Sequence, residues 1–568
     1  MPEIVLTTLN AKYIHAAFGL RYLMANLGPL QSRARIMEFD INQRPVDIAE
    51  KLLALNPKIV GLGVYIWNAG PATELVATLK LIRPDLIIIL GGPEVSYETD
   101  QQEVVRLADH VITGEADLKF AEVCGVLLNS AKAAADVRRL MPAGQEKSEP
   151  PRVGCCGKII PAELPDFSQL TLPYNLYDEQ DIAHRVVYVE ASRGCPFTCE
   201  FCLSSLDIPV RQAPLSSFLA AMQKLLDRGL RQFKFVDRTF NLNVATSRAI
   251  LEFFLERHRP GNFYHFEMIP DRLPPELRES IARFPPGSLQ FEVGIQTFNP
   301  VVAGRISRRQ NYARLEDNLR FLREQTGVHI HADLIAGLPG EDLASFAAGF
   351  DRLIALRPHE IQVGILKRLR GTPIVRHDDE WQMVYNRHPP YELLQNKSLD
   401  FATMQKLRRF ARYWDLVGNS GNFIETTPLL WSAAVSEKPA AAHLQAPTHE
   451  NLQESSAIPP AAVGASHTAA LRSPFHSFLR WGEWLYVRVG RTDSIPLVRL
   501  MELLFDYLTL DLELERRLVG EALWRDYQRG GRRDKPAFLR VFLAETAPMR
   551  ARRLGALPKR QARHLPLE

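Results

Sequence analysis

A chain of 568 residues is too long for one ordinary hydrophobic core, and its length alone suggests roughly three to four domains. With 46% hydrophobic and 24% charged residues and a net charge of +4, it has the balance of a globular protein rather than of a disordered chain or a whole-molecule nucleic-acid binder. The first residues lack a basic stretch followed by an apolar one, and apolar runs such as Leu86–Leu90 are strand-sized, so a cytoplasmic protein with no membrane partner is expected.

In chain order, Ile4–Thr8, Ala34–Phe39, Ile59–Tyr65, Leu86–Leu90 and His110–Ile112 read as short apolar strands. Helical patterns separate them at about His15–Leu27, Val46–Leu55 and Ala72–Ile82. Apolar strands alternating with amphipathic helices argue for a parallel sheet covered on both faces, a doubly wound flavodoxin-like domain over 1–130. Ligands of such domains sit at the carboxyl ends of the strands. Residues 131–180, with an Ala-rich stretch and then Pro161, Pro165 and Pro173, read as a linker or strap with little core of its own.

A second βα series spans 181–380. Its strand signals are the run from Val186, then Phe233–Val236, Tyr264–Met268, Leu289–Ile295, His329–Ile335 and Glu360–Ile365, enough for a partial (β/α)6 barrel with chemistry at the strand C-termini. From 381 to 568 the pattern is mostly helical, with a flexible insertion expected at about 436–474. Trp481, Trp484, Tyr486 and Phe505 read there as core aromatics. The basic tail at 549–568, with Arg550, Arg552, Arg553, Lys559, Arg560 and Arg563, reads as a solvated end. No nucleic-acid partner is expected from it.

Six cysteines exclude a disulfide scaffold in a chain of this size. Cys155 and Cys156 are adjacent and read as free thiols. Cys195, Cys199 and Cys202, in SRGCPFTCEFC directly after a strand, have metal spacing. Thiolates are soft ligands, and three on one loop can hold three irons of a cubane and leave the fourth open to a substrate; a structural zinc site is the other reading of the spacing. A ferredoxin-like electron carrier would want a fourth cysteine, and none follows nearby.

This loop resembles that of the radical S-adenosylmethionine superfamily. The resemblance implies a [4Fe–4S] cluster on Cys195, Cys199 and Cys202 whose open iron chelates the methionine moiety of S-adenosylmethionine; its reduction then gives a 5′-deoxyadenosyl radical. Phe201 would pack against adenine. Later strand ends resemble the branch that contains oxygen-independent coproporphyrinogen oxidase and its cobalamin-binding relatives. The likeness implies cofactor contacts for Asp237 (in VDRTFN), Glu267, Gln296, Arg308 on the methionine carboxylate, and Asp333 on the ribose. The VDRTFN loop departs from the commoner Gly-rich form. Glu292 reads as a cap or salt-bridge partner.

The first domain resembles the cobalamin-binding domain found upstream of the barrel in many such enzymes. Gly91-Gly92-Pro93 and Gly114-Glu115 carry the likeness, and glycines after parallel strands let a corrin or its tail approach the backbone. The D-x-H-x-x-G signature of domains that ligate cobalt from below is absent: His15 precedes Gly19, with no Asp two residues before it. His15 therefore reads as a residue at a helix start and not as a cobalt ligand. The region from about Trp381 resembles an uncharacterised C-terminal region of the family. Together these imply a cobalamin-dependent radical enzyme that methylates or rearranges an unactivated carbon of a substrate left open, a small molecule or another kind, served by an electron donor such as flavodoxin or ferredoxin. Ring closure or oxidation without methyl transfer is the enzyme alternative, and an RNA-binding or tRNA-modifying protein the other class.

Overall fold

In the computed structural model the described residues are 1–129, 158–432, 473–542 and 558–565. Cys155, Cys156, the polar stretch before them, most of the expected insertion, and Arg550, Arg552 and Arg553 lie outside them. The chain folds as two compact units, the first chiefly Met1–Glu341 with Ile365–Phe401, the second Asp342–Gly364 with residues from Ala402 on. No helix among the described residues is long and apolar enough to cross a membrane.

The first sheet comprises β1 (Ile4–Asn10), β2 (Ala34–Asp40), β3 (Ile59–Gly63), β4 (Ile87–Gly91), β5 (His110–Thr113) and β6 (Lys158–Pro161), all parallel in the order β2-β1-β3-β4-β5-β6. The helices α1 (Phe18–Ala25), α2 (Pro45–Leu53), α3 (Ala69–Ile82), α4 (Glu103–Leu107) and α5 (Lys119–Asn129) follow successive strands. Helices α2 and α3 pack one apolar cluster against the sheet through Ile48, Leu52, Leu75 and Leu79. Helices α1 and α5 belong to the other, with Leu20, Met24, Phe120 and Val123. Both faces are therefore covered, which is why β1 reads as a continuous apolar and threonine run buried at every position. The order turns around between β1 and β3, so the crevice for a ligand lies at their carboxyl ends.

Two expectations need correction here. The segment expected to be a strap contributes β6 to this sheet and buries Phe167, Tyr174 and Tyr177. The helix expected from His15 starts only at Phe18, because the residues before it are taken up elsewhere. The Val186 amide donates to the Ile14 carbonyl at 2.7 Å, and His15 forms a parallel bridge with Val186.

The second sheet has six strands. Five lie in the first unit, side by side and parallel: β7 (Val187–Val189), β10 (Gln232–Phe235), β11 (Phe263–Met268), β12 (Leu289–Gln296) and β13 (His329–Ala336). The sixth, β14 (Glu360–Ile365), straddles the boundary between the units. A small hairpin of β8 (Ser192–Arg193) and β9 (Arg211–Gln212) brackets the cysteine loop. One face of the strands carries Phe233, Phe235, Tyr264 and Phe266, packed with Phe254 from the helix Val244–Glu256. Alternation leaves Lys234, His265, Glu267 and Glu292 on the opposite, inner face.

The second unit is built on aromatics. Phe350, Phe410, Trp414, Phe475 and Phe478 meet at centroid distances of 4.7 to 5.2 Å along their closest pairs. Trp481 and Phe505 are buried as expected, and Trp484 is half-buried. Tyr486 is instead exposed, under the Arg409 guanidinium. The described end of the basic tail is not free in solvent either. It forms a helix, Lys559–Arg563, whose Arg560 reaches Asp415 at 2.6 Å and Glu360 at 2.9 Å.

Candidate functional site

The cysteine loop leaves β7 and turns at Gly194 (φ +92°), where a Cβ would lie 2.7 Å from the Pro209 carbonyl oxygen and 2.9 Å from that of Asp207, so only glycine fits. The Cys195 amide donates to the Asp207 carbonyl at 3.0 Å, and the Cys202 amide to that of Cys199 at 3.1 Å. Cys195 and Cys199 are buried and Cys202 is half-buried. All three line a cavity of about 180 Å³ at the carboxyl ends of the second sheet. Among the described residues no three His, Cys, Asp or Glu side chains converge on one metal ion. A cubane spreads its thiolates over separate irons, and three thiols of one loop lining one cavity suit it. Burial pushes the Cys195 thiol up, a cost that bonding to iron would reverse.

Phe201, Glu267, Gln296, Arg308 and Asp333 line the same cavity. The register of β12 against β13 shifts between Gly294 and Gln296, and Gln296 takes φ +72°. Such a bulge re-aims a side chain. The Arg308 Nη1 donates to Cys199 Sγ at 3.3 Å and Nη2 to the Gly294 carbonyl. Glu267 pairs with Arg238 at 3.1 Å. Five buried polar atoms of residues lining this cavity lack a hydrogen-bond partner: Thr239 Oγ1, Gln296 Oε1, Arg308 Nε, Gln310 Oε1 and Asp333 Oδ1. Buried polar atoms are ordinarily paired, so their convergence at one cavity fits a polar ligand of the amino-acid and ribose kind. Burial pushes the Asp333 carboxyl well up from its usual value, helped by Glu292 and Glu267 and opposed by Arg308 and Lys234. Burial also raises Glu267, against the pull of Arg238.

Asp237 departs from expectation. Its carboxylate is 2% exposed, accepts from Ser192 Oγ at 2.6 Å and the Ala191 amide at 3.0 Å, and does not line the cavity. It holds the start of the cysteine loop, and burial raises it to about 7. Sequence reading also passed over Glu200, inside the cysteine motif itself. It is 1% exposed and binds Ser307 Oγ at 2.6 Å, Arg376 Nε at 2.7 Å and His377 Nε2 at 2.7 Å, clamping the loop to the segment after the barrel. Its partners lie more than a hundred residues away in sequence, so no local signal marks it.

A second cavity, of about 390 Å³, opens at the carboxyl ends of β3 and β4. Gly61, Gly63, Gly91, Gly92, Pro93, Gly114 and Glu115 line it with Tyr22, Tyr65 and Phe120. Gly92 takes φ +110°, and a Cβ there would fall 2.5 Å from the Val64 carbonyl oxygen. A Cβ at Gly61 would reach 2.7 Å from the Phe120 ring. A strand backbone stripped of side chains beside aromatic rings is a cradle for a large planar group, and a corrin with its tail fits it.

Glu115 lines this cavity, but its charge is spent on arginines: Arg193 Nη1 at 2.8 Å and Arg211 Nη1 at 2.9 Å. Arg193 stands two residues before Cys195 and also pairs with Glu190 at 2.6 Å and Asp117 at 3.0 Å. Glu190 and Arg193 themselves line the second cavity. His15 lines neither cavity; its Nδ1 is 2.6 Å from Tyr188 Oη.

Comparison with known proteins gives three matching family models: B12 binding domain over residues 4–124, Radical SAM superfamily over 189–353, and a protein family of unknown function, DUF4080, over 379–441. An uncharacterised methyltransferase of Pyrococcus horikoshii is 29% identical over 210 residues, 35% of this chain and 43% of that one. The anaerobic magnesium-protoporphyrin IX monomethyl ester cyclase of Rubrivivax gelatinosus is 28% identical over 167 residues, 27% of this chain and 28% of that one. The chain thus spans less than half the length of these relatives. Among solved structures, the radical S-adenosylmethionine methyltransferase TsrM of Kitasatospora setae aligns with a TM-score of 0.50 over 66% of this chain and 75% of its own at 17% identity, a likeness of fold. The matched domains imply a [4Fe–4S] cluster, S-adenosylmethionine and cobalamin as cofactors.

Proposed function

We propose that this chain, a radical SAM protein with a B12 binding domain ahead of the radical SAM domain and a DUF4080 region behind it, transfers a methyl group to an unactivated carbon of a small molecule. The observation that supports this best is the closeness of the two sites along the chain. Arg193, which lines the glycine-floored cavity, stands two residues before the first cysteine of the cluster loop, so that loop starts at the cavity's wall. When bound, the cluster supplies the electron that splits S-adenosylmethionine, and cobalamin carries the methyl group.

The chain's own residues bind and orient. Cys195, Cys199 and Cys202 ligate the cluster, Arg308 pairs with the methionine carboxylate, and Phe201 packs against adenine. Asp333 takes the ribose hydroxyls, and Glu267 and Gln296 complete the polar wall. The glycines of β3 and β4, with Gly92, Pro93 and Gly114, would admit the corrin, and His15 does not line that cavity. Domain borders near 130, 180 and 380 suit this division, and a flavodoxin- or ferredoxin-type donor delivers the electron. Ring closure without methyl transfer is a second reading, favoured by the 28% identity to a cyclase.

Anaerobic reconstitution tests the proposal. The full chain should take up four irons and one corrinoid, and release 5′-deoxyadenosine from S-adenosylmethionine under reduction. The triple variant Cys195→Ala/Cys199→Ala/Cys202→Ala should lose the iron and the cleavage but keep the corrinoid bands. A triple variant that still binds four irons, or a wild type that binds no corrinoid, overturns it.

A further inference from the structure

The Gly91-Gly92-Pro93 turn of the glycine-floored cavity runs on into a short loop, residues 94–98, that is drawn inward instead of lying in solvent. Glu94 is 5% exposed and Val95 is fully buried. In the middle of the loop the Ser96 hydroxyl donates to the Gly92 carbonyl at 2.9 Å and accepts from the Gly114 amide at 3.2 Å. One hydroxyl thus ties the turn after β4 to the turn after β5, and both glycines that it holds line the cavity. The Gln102 side chain closes the loop from behind, donating to the Glu94 and Tyr97 carbonyls at 3.0 and 2.8 Å.

The two glutamates of this loop are taken by a distant stretch of chain. Glu94 accepts from Tyr391 Oη at 2.6 Å and from Arg370 Nε at 2.9 Å. Glu98 accepts from Arg368 Nη1 and Arg370 Nη1, both at 3.2 Å, and from the Gly371 amide at 3.3 Å. Arg370 also donates to the Tyr391 hydroxyl at 3.0 Å. At Gly371 (φ +78°) a Cβ would overlap the Tyr97 ring, so the two segments meet closely enough to require glycine. Charge-assisted bonds of this kind fix direction as well as distance, and breaking them from one side would leave the buried Glu94 carboxylate without its cation. Arg368 and Arg370 follow β14, and Tyr391 lies within the stretch that the DUF4080 model matches. Neither Arg370 nor Tyr391 lines a cofactor cavity.

We propose that Arg370 and Tyr391 are positioning residues of the corrin site: through Glu94 and Glu98 they fix the loop whose Ser96 sets the two glycine turns of the cavity. The start of a region of unknown function thereby has a task, to shape a cofactor cavity whose wall it does not form. The inference rests on the corrin reading above.

Hydroxocobalamin titrated into the reconstituted full chain, followed by its absorbance, tests it. Arg370→Gln should weaken hydroxocobalamin roughly 3- to 30-fold, the range for side chains that act through an intervening element, and should leave the iron content and the S-adenosylmethionine affinity near those of the wild type. Tyr391→Phe, nearly isosteric, should shift the affinity the same way by less, and serves if Arg370→Gln folds poorly. Ser96→Ala should reproduce the loss. The double variant Ser96→Ala/Arg370→Gln should lose little more than the worse single one, because both act through one loop. In the corrinoid-free protein, amide exchange over residues 92–98 should be faster in Arg370→Gln than in the wild type. Undiminished hydroxocobalamin binding by Arg370→Gln and Tyr391→Phe, unchanged exchange, a double loss equal to the product of the single ones, or a matching fall in S-adenosylmethionine affinity overturns the proposal and leaves the corrin reading standing. A wild type that binds no hydroxocobalamin overturns that reading, and this inference with it.

Discussion

The two cavities of the first unit are built by opposite means. The cluster cavity is a concentration of side chains: three thiols, an arginine that touches one of them, and carboxyl and amide groups with atoms left unpaired. The cavity at β3 and β4 is an omission of side chains, with glycine at 61, 63, 91, 92 and 114 where strands of this kind carry Val or Ile. One is broken by deleting an atom group and the other by adding one. The first should recognise its ligand through directed polar contacts and the second through shape.

The largest expected effect falls on the side-chain-built cavity. Arg308→Ala removes a charge-assisted contact and leaves a buried partner unpaired, which should weaken S-adenosylmethionine by roughly 1.5–3 kcal/mol, or about 10- to 150-fold. Calorimetry reads it directly, and unchanged affinity would remove Arg308 from the site. At the glycine-floored cavity, Gly91 has an ordinary backbone, and a Cβ there would meet only the Ile112 carbonyl oxygen at 3.8 Å. Gly91→Leu should therefore fold with a near-native melting temperature yet bind corrinoid more weakly, by roughly 1–3 kcal/mol of overpacking. Equal loss of stability and binding would mean that the variant reports the fold and not the cavity. The smallest effect sharpens the contrast. His15→Ala should leave the paramagnetic resonance spectrum of bound cob(II)alamin unchanged, because His15 faces Tyr188 and lies on neither cavity wall. Loss of a nitrogen hyperfine pattern would make it a ligand.

The same contrast explains what the sequence disclosed. The cysteines sit within eight residues, and the resemblance of the later strand ends named Gln296, Arg308 and Asp333, all of which line the same cavity. The glycine turns were legible for the same reason. What stayed hidden depends on long separations. Glu200 makes its bonds to Ser307, Arg376 and His377, and Glu115 spends its charge on Arg193 and Arg211. Asp237 was placed at the correct strand end, but the direction of its carboxylate, toward the Ala191 amide instead of the cavity, is set by tertiary packing. The strand β6 has only four residues and follows a polar stretch, too little pattern to register beside its prolines. The exposure of Tyr486 and the docking of Arg560 likewise depend on neighbours that no window of sequence contains.

The bridge between His15 and Val186 bears on how this protein can be taken apart. Strand β7 stands at the border of its sheet, and the residues around Ile14 lie along that border and occupy the Val186 amide. A bared strand edge invites pairing with other chains. A fragment that starts after the first sheet would therefore lose its guard, and should be recovered as aggregate. Residues 1–129, cut away, would keep their sheet except for β6, which lies beyond the cut. The boundary drawn by sequence families is thus a poor place for scissors: a soluble catalytic half has to carry the first loop of the other half with it.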